Sequence, residues 1–241
     1  MLQVALPEVL RPHVEAWRLD PDLAAPVTDA DWAVLGKDEK ERALRFGRHE
    51  DRVRYVATRA TLRRLLAARL GRRPQDLRFM NGFHGKPRLA QSCGSELRLE
   101  FNVSHAGAHG LIAISRRRAV GVDIERRIPA FDVASLEQQV LSPFERRTEA
   151  ERQLEFFERW VVKEAVLKAI GTGVASHLQQ LSVEKPLGHD ERRYGLRHAV
   201  PEWPSMGAWR LDAPTGYAAA IAYELDEPRE PFTSAADPAM L

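Results

Sequence analysis

Cysteine is almost missing from this sequence. Cys93 is the only one in 241 residues, which excludes a disulfide framework and any zinc site built on thiolates. Long apolar runs are missing too, so no segment reads as a membrane-spanning helix. Met1 to Glu8 carry no basic stretch and reach Pro7 and Glu8 early, the wrong pattern for a secretory leader. A cytoplasmic location is the expectation. Aromatic residues are sparse at 7%, yet 44% of the chain is hydrophobic and mean hydropathy is −0.38. That share suffices for a buried core and excludes a wholly disordered or fibrous chain. The length allows one large domain or two small ones.

Net charge is small, +2, but unevenly placed. Between Lys37 and Arg73 the basic residues exceed the acidic ones by eight, which leaves the remainder net acidic by six. A basic first half suggests a polyanion lying against it.

After a Pro-rich opening (Pro7, Pro12, Pro21, Pro26), Thr28 and Asp29 offer N-caps for a helix running toward Phe46. A second helix is expected from about Glu50, with Tyr55, Leu62, Leu65, Leu66 and Leu70 at helical spacing and Gly71 as its C′ residue. Short strands are expected at 77–79, 87–89, 97–101, 111–114 and 120–125, with Asn81-Gly82 and His84-Gly85 as turns. Ser142-Pro143-Phe144-Glu145 has the form of a capping box. A long helix from about Glu151 to Ile170 should follow, closed by Gly171-Thr172-Gly173, then strands near 181–183, 209–211 and 217–223. Both halves thus read as helices followed by antiparallel strands, an α+β chain with the outline of a duplication. Residues after Asp226 read as a loose tail.

Four motifs carry chemistry. Asp123 and Glu125 are one residue apart in an expected strand, so both carboxylates share a face. That face is either simply solvated or balanced by a bound cation. Trp160, Glu164 and Lys168 lie four apart on one side of the long helix, where Glu164 and Lys168 also make an ordinary stabilising pair. Asn102, Ser104 and His105 in Phe-Asn-Val-Ser-His-Ala-Gly offer donors to an anion at a strand end. Lys86 sits in Gly85-Lys86-Pro87 between two strands.

In that order, Gly-Lys-Pro, Phe-Asn-x-Ser-His, Gly-x-Asp-x-Glu and Trp-x-x-Lys-Glu-Ala-x-x-Lys resemble the Sfp-type 4′-phosphopantetheinyl transferases of the holo-acyl-carrier-protein synthase superfamily. The resemblance is firm from Gly85 to Gly173 and looser over Arg42–Leu70. It implies two similar lobes in a pseudo-two-fold arrangement, residues 1–119 and 120–225, with 226–241 as a flexible tail. It further implies a monomer that moves phosphopantetheine from coenzyme A onto a serine of an apo acyl or peptidyl carrier protein, releasing 3′,5′-ADP. Such carriers serve fatty-acid, polyketide, nonribosomal-peptide or siderophore synthesis.

Carried onto this chain, the resemblance makes Asp123, Glu125 and Glu164 the ligands of Mg²⁺, with Mn²⁺ as an alternative. Oxygen donors suit such a hard ion. It implies Glu164 as general base, Lys168 as the cation beside the departing phosphate, and Asp123 as the third member of the catalytic set. Lys86, Pro87, Asn102, Ser104 and His105 would hold coenzyme A together with Asp123, Glu164 and Lys168. For the 3′-phosphate the first choices are Arg42 and Arg48, with Arg54 as a third. Lys163 would point elsewhere. The arginines at 116–118 and 126–127 could steer an acidic carrier or be solvated charge. Competing readings are nucleic-acid binding by the basic segment, a magnesium-dependent phosphohydrolase and a catalytically dead carrier-binding protein. The two acidic motifs speak against the first, and no nucleic-acid or membrane partner is expected.

Overall fold

The computed structural model describes residues 1–82, 85–90, 98–128, 133–147, 154–174, 176–186 and 190–226. Cys93, the His84 half of the second turn, Leu97 and the tail after Asp226 lie outside them.

Two antiparallel sheets build the chain. The first has the order β1-β2-β6-β5: Leu2–Gln3, Val14–Leu19, His109–Arg116 and Leu99–Ala106. The second has the order β7-β11-β10-β9-β8: Val120–Arg126, Tyr217–Glu224, Met206–Arg210, Arg193–His198 and Leu181–Pro186. A small hairpin joins β3 (Phe79–Asn81) to β4 (Pro87–Leu89). β2 and β9 were not expected from the sequence. The first lies among prolines, and the second, Arg193 to His198, has just two apolar residues, Tyr194 and Leu196, too few to mark a strand.

The two sheets share one core. Val14, Ala16, Leu111 and Ala113 of the first sheet pack with Val122, Ile124, Ala219 and Ile221 of the second. On the outer face of each sheet lies one long helix. Helix α3 (His49–Leu70) covers the first through Leu62, Leu66, Phe101 and Ile112. Helix α6 (Phe156–Ile170) covers the second through Val162, Ala165, Val166 and Ala169. This helix–sheet–sheet–helix arrangement is α+β in two similar lobes.

Several boundaries follow local chemistry. Thr28 caps α1 (Asp29–Val34) by accepting the Asp31 N–H at 3.1 Å. The single helix expected up to Phe46 is instead two, because the chain turns extended at Leu35-Gly36 before α2 (Lys37–Leu44). The Gly36 N–H then donates to Glu39 at 2.8 Å. Gly71 and Gly171 close α3 and α6 in the left-handed region, at φ +61° and +82°. Beyond α4 (Val133–Val140), Ser142 and Glu145 form a reciprocal capping box at α5 (Pro143–Arg147). The long helix begins at Phe156, later than expected, since Glu155 is its extended N-cap.

Candidate active site

β5 and β7, the edge strands of the two sheets, run side by side, joined by side chains. Asn102 Oδ1 accepts the Val122 N–H at 3.0 Å, and Ser104 Oγ donates to Asp123 Oδ1 at 2.6 Å. Across β7 lies α6, drawn in closely because Gly121 has no Cβ. An added Cβ would come within 2.6 Å of the Ala169 nitrogen and closer still to the Ala165 carbonyl oxygen. This contact lays Asp123 and Glu125 against the helix face that bears Glu164 and Lys168.

The three carboxylates offer oxygens that all lie within 4.8 Å of one another. Lys168 Nζ is 2.5 Å from Asp123 Oδ1 and 3.1 Å from Glu164 Oε2, and it donates to Ser104 Oγ at 3.2 Å. Asp123 is fully buried, yet its Oδ2 has no hydrogen-bond partner. Burial, with the Glu164 charge added, pushes the Asp123 carboxyl up to about 6 against the pull of Lys168. Burial and the charges of Asp123 and Glu164 push Glu125 up to about 7. For Lys168, burial would lower the pKa, but the Asp123 and Glu164 carboxylates outweigh it and hold it above the ordinary lysine value.

Three carboxylates against one ammonium leave two negative charges, and one buried oxygen is unsatisfied. An all-oxygen set with that balance fits a hard divalent cation such as Mg²⁺.

The other sequence candidates fall into three groups. Ser104 belongs to the acidic cluster itself. His105 is exposed at the end of β5, where the positive charges of Arg54, Lys168 and Arg42 converge on it. Arg54 donates to the Gly107 carbonyl in the turn just beyond and pairs with Asp51. Arg42 lies 5.4 Å over the Tyr55 ring. Arg48 is exposed at the N-terminus of α3.

Asn102 and Lys86 both bond to backbone across the seam. The Lys86 ammonium donates to the carbonyls of Val120 (3.2 Å) and Ala169 (3.0 Å), and burial lowers its pKa to about 8. It ties the β3–β4 hairpin to the end of α6. Pro87 pairs with Asn81 in that hairpin. Lys163 points away, as expected, into a fully buried contact with Glu145 at 2.6 Å and the carbonyls of Val140 and Leu178.

The basic segment is less available than its charge suggests. Arg59 and Arg63 grip Glu39, Arg64 pairs with Asp31, Arg69 with Glu15, and Arg73 with Asp76. Farther along, Arg118 pairs with Asp226, and Arg127 with Glu155 and Glu158.

Sequence reasoning missed some contributors. The Trp160 indole N–H donates to Glu164 Oε1 at 2.6 Å and so aims that carboxylate. The four-residue spacing was visible, but the hydrogen bond was not. Tyr217 is a second case. Its hydroxyl abuts Gly107, whose φ is +52°, and its ring meets His109 edge-on at 4.6 Å. His109 in turn contacts Asp20 at 2.6 Å. The turn after His105 is thus braced from behind by residues far apart in sequence.

Two family models cover most of the chain. One, described as the 4′-phosphopantetheinyl transferase superfamily, matches residues 119–222. The other, described as the N-terminal part of a 4′-phosphopantetheinyl transferase, matches residues 27–117. The chain belongs to the 4′-phosphopantetheinyl transferase superfamily. Among relatives, the 4′-phosphopantetheinyl transferase HetI of Nostoc sp. is 34% identical over 180 residues, 73% of this chain and 75% of that protein. A Synechocystis sp. protein with the provisional name 4′-phosphopantetheinyl transferase slr0495 is 32% identical over 208 residues, 84% of this chain and 80% of its own. The human L-aminoadipate-semialdehyde dehydrogenase-phosphopantetheinyl transferase is 29% identical over 181 residues, 67% of this chain and 58% of its own. This transferase is therefore an enzyme of a family that uses coenzyme A and acts on carrier proteins. Among the described residues, no helix is long and apolar enough to cross a membrane.

Proposed function

We propose that the transferase attaches phosphopantetheine to a serine of an apo acyl or peptidyl carrier protein at the seam between its lobes, releasing 3′,5′-ADP. The observation behind this reading is the meeting of Asp123, Glu125 and Glu164 with Lys168 where β5, β7 and α6 adjoin. We take residues 1–119 and 120–225 as the lobes and the monomer as the working unit. Mg²⁺, or Mn²⁺ in its place, would be held by Asp123, Glu125 and Glu164, and would offset charge on the diphosphate of coenzyme A and on the departing nucleotide.

The chain's own groups have distinct tasks in this reading. His105, Arg54 and Arg42 hold the nucleotide phosphates at the turn after β5, with Arg48 as a further contact for the 3′-phosphate. Lys168 offsets negative charge on the leaving phosphate oxygen and stays protonated before the reaction because Asp123 and Glu164 surround it. Glu164, aimed by Trp160, accepts the proton of the incoming serine hydroxyl. Ser104 fixes the Asp123 carboxylate. Asn102, Lys86 and Pro87 act through the fold by holding the two lobes in register.

The test is intact-mass spectrometry of apo carriers from fatty-acid and peptide synthesis incubated with coenzyme A, with Mg²⁺ or with EDTA. A metal-dependent gain of one phosphopantetheine, lost in Asp123→Asn and Glu164→Gln, is expected. In Arg54→Ala, KM for coenzyme A should rise about tenfold with kcat little changed. Full activity of Asp123→Asn at moderate Mg²⁺ would overturn the metal assignment.

A further inference from the structure

A second concentration of positive charge lies far from the acidic cluster. β6 begins beside the active-site turn and ends at Arg116, which pairs with Leu99 at the opposite end of the first sheet. From Gly110 to Arg116 the strand runs roughly 20 Å at about 3.4 Å per residue. At that far end is a cavity of about 320 Å³, lined by Arg11, His13, Glu15, Arg69 and Arg116 over apolar walls that include Leu99 and Ile114.

The groups around it divide into fixed and available donors. All three nitrogens of the Arg69 side chain are engaged. It grips Glu15 with Nε and Nη2, donates Nη1 to the Leu65 carbonyl, and stacks 4.7 Å over the Trp17 ring. Glu15 is thereby neutralised. Among the described residues, Arg11 uses only Nε, on the Leu6 carbonyl at 3.0 Å. Neither Arg11 nor Arg116 has an ion-pair partner among the described residues. The backbone presenting them is held in place. Val14 N–H donates to Leu10 O at 2.9 Å, and Arg116 N–H to His13 O at 3.3 Å.

Three guanidiniums against one carboxylate leave an excess of two positive charges before His13 is counted. A phosphate monoester carries close to two negative charges at neutral pH and offers oxygens to planar arginine forks. A simple carboxylate carries only one. The buried Leu99 and Ile114 side chains add an apolar floor for an organic substituent. We propose that this cavity is a second anion site, distinct from the coenzyme A site, that takes a small phosphate monoester with an apolar body. Arg11 and Arg116 would be its free donors and Arg69 its fixed wall.

The probe is phenyl phosphate, titrated calorimetrically into the full chain saturated with coenzyme A and Mg²⁺, so that the active-site cations are already engaged. One molecule per chain should bind. The double variant Arg11→Ala/Arg116→Ala should weaken binding at least tenfold while its affinity for coenzyme A stays at the wild-type value. Both side chains are exposed, and an unchanged melting temperature will show that the variant folds. Benzoate, the matching monoanion, should bind at least tenfold more weakly than phenyl phosphate. Absence of phenyl phosphate binding, equal affinity in the double variant, or benzoate binding as tightly as the phosphate would each overturn the proposal. None of these results depends on whether the acidic cluster carries out transfer.

Discussion

Gly121 offers a sharp test of how the active site is assembled. Replacing it by alanine adds one methyl group, at a point where α6 touches β7 backbone to backbone. The new Cβ would sit 2.6 Å from the Ala169 nitrogen, whereas ordinary contact begins near 3.4 Å. Helix and strand must therefore separate by at least about 0.8 Å, and the closer Ala165 oxygen asks for more. Neither neighbour is a flexible side chain that could swing aside. Overpacking of this kind costs about 1–3 kcal/mol of stability. The larger effect should be on catalysis, because Asp123 and Glu125 ride on β7 while Glu164 and Lys168 ride on α6. A misplacement approaching 1 Å in a reacting constellation costs about 100-fold in rate. We expect Gly121→Ala to fold with a modest loss in denaturant midpoint and to modify carriers about 100-fold more slowly at saturating coenzyme A. Urea denaturation and single-turnover mass spectrometry measure the two effects separately. Wild-type rate with wild-type stability would refute the argument that this crossing sets the site geometry.

Three further outcomes follow from the same structure. Lys163→Met leaves the fully buried Glu145 and two carbonyls without their ammonium partner, so stability should fall by about 3 kcal/mol while the folded fraction keeps its specific activity, as calorimetry and an activity titration would show. In Trp160→Phe the ring remains but Glu164 loses its indole donor; kcat should drop about tenfold with KM for coenzyme A unchanged, and loss of both in parallel would contradict an aiming role. Asp123 and Glu125 are raised by burial to about 6 and about 7, so the folded metal-free chain holds protons that the unfolded chain has already lost. Their stabilising contribution is complete below pH 4 and disappears as pH rises through 6–7. Denaturation in EDTA should therefore show stability falling across that window, less steeply in Glu125→Gln, and added Mg²⁺ should reverse the loss at pH 8.

Much of this protein was legible in its sequence because the relevant physics is local. The period of two puts Asp123 and Glu125 on one face, the four-residue step aligns Trp160, Glu164 and Lys168, and Gly71 and Gly171 stop their helices as left-handed caps. The Ser142–Glu145 box was readable for the same reason. Other features needed the third dimension. The basic segment looked like an anion-binding surface, yet Glu39, Asp31 and Glu15 consume several of its arginines, and partners of that kind are far apart in the chain. Lys86 read as a ligand contact, and only the fold shows its ammonium bonded to the carbonyls of Val120 and Ala169. The break at Gly36 depends on Glu39 reaching back to its N–H, and Arg63, from α3, grips the same carboxylate. Composition and spacing determined which side chains could serve the chemistry. Only the packing of α6 onto Gly121, and of β5 along β7, decided that three carboxylates and one lysine would meet, because a shared buried position is a property of surfaces in contact and not of residues in order.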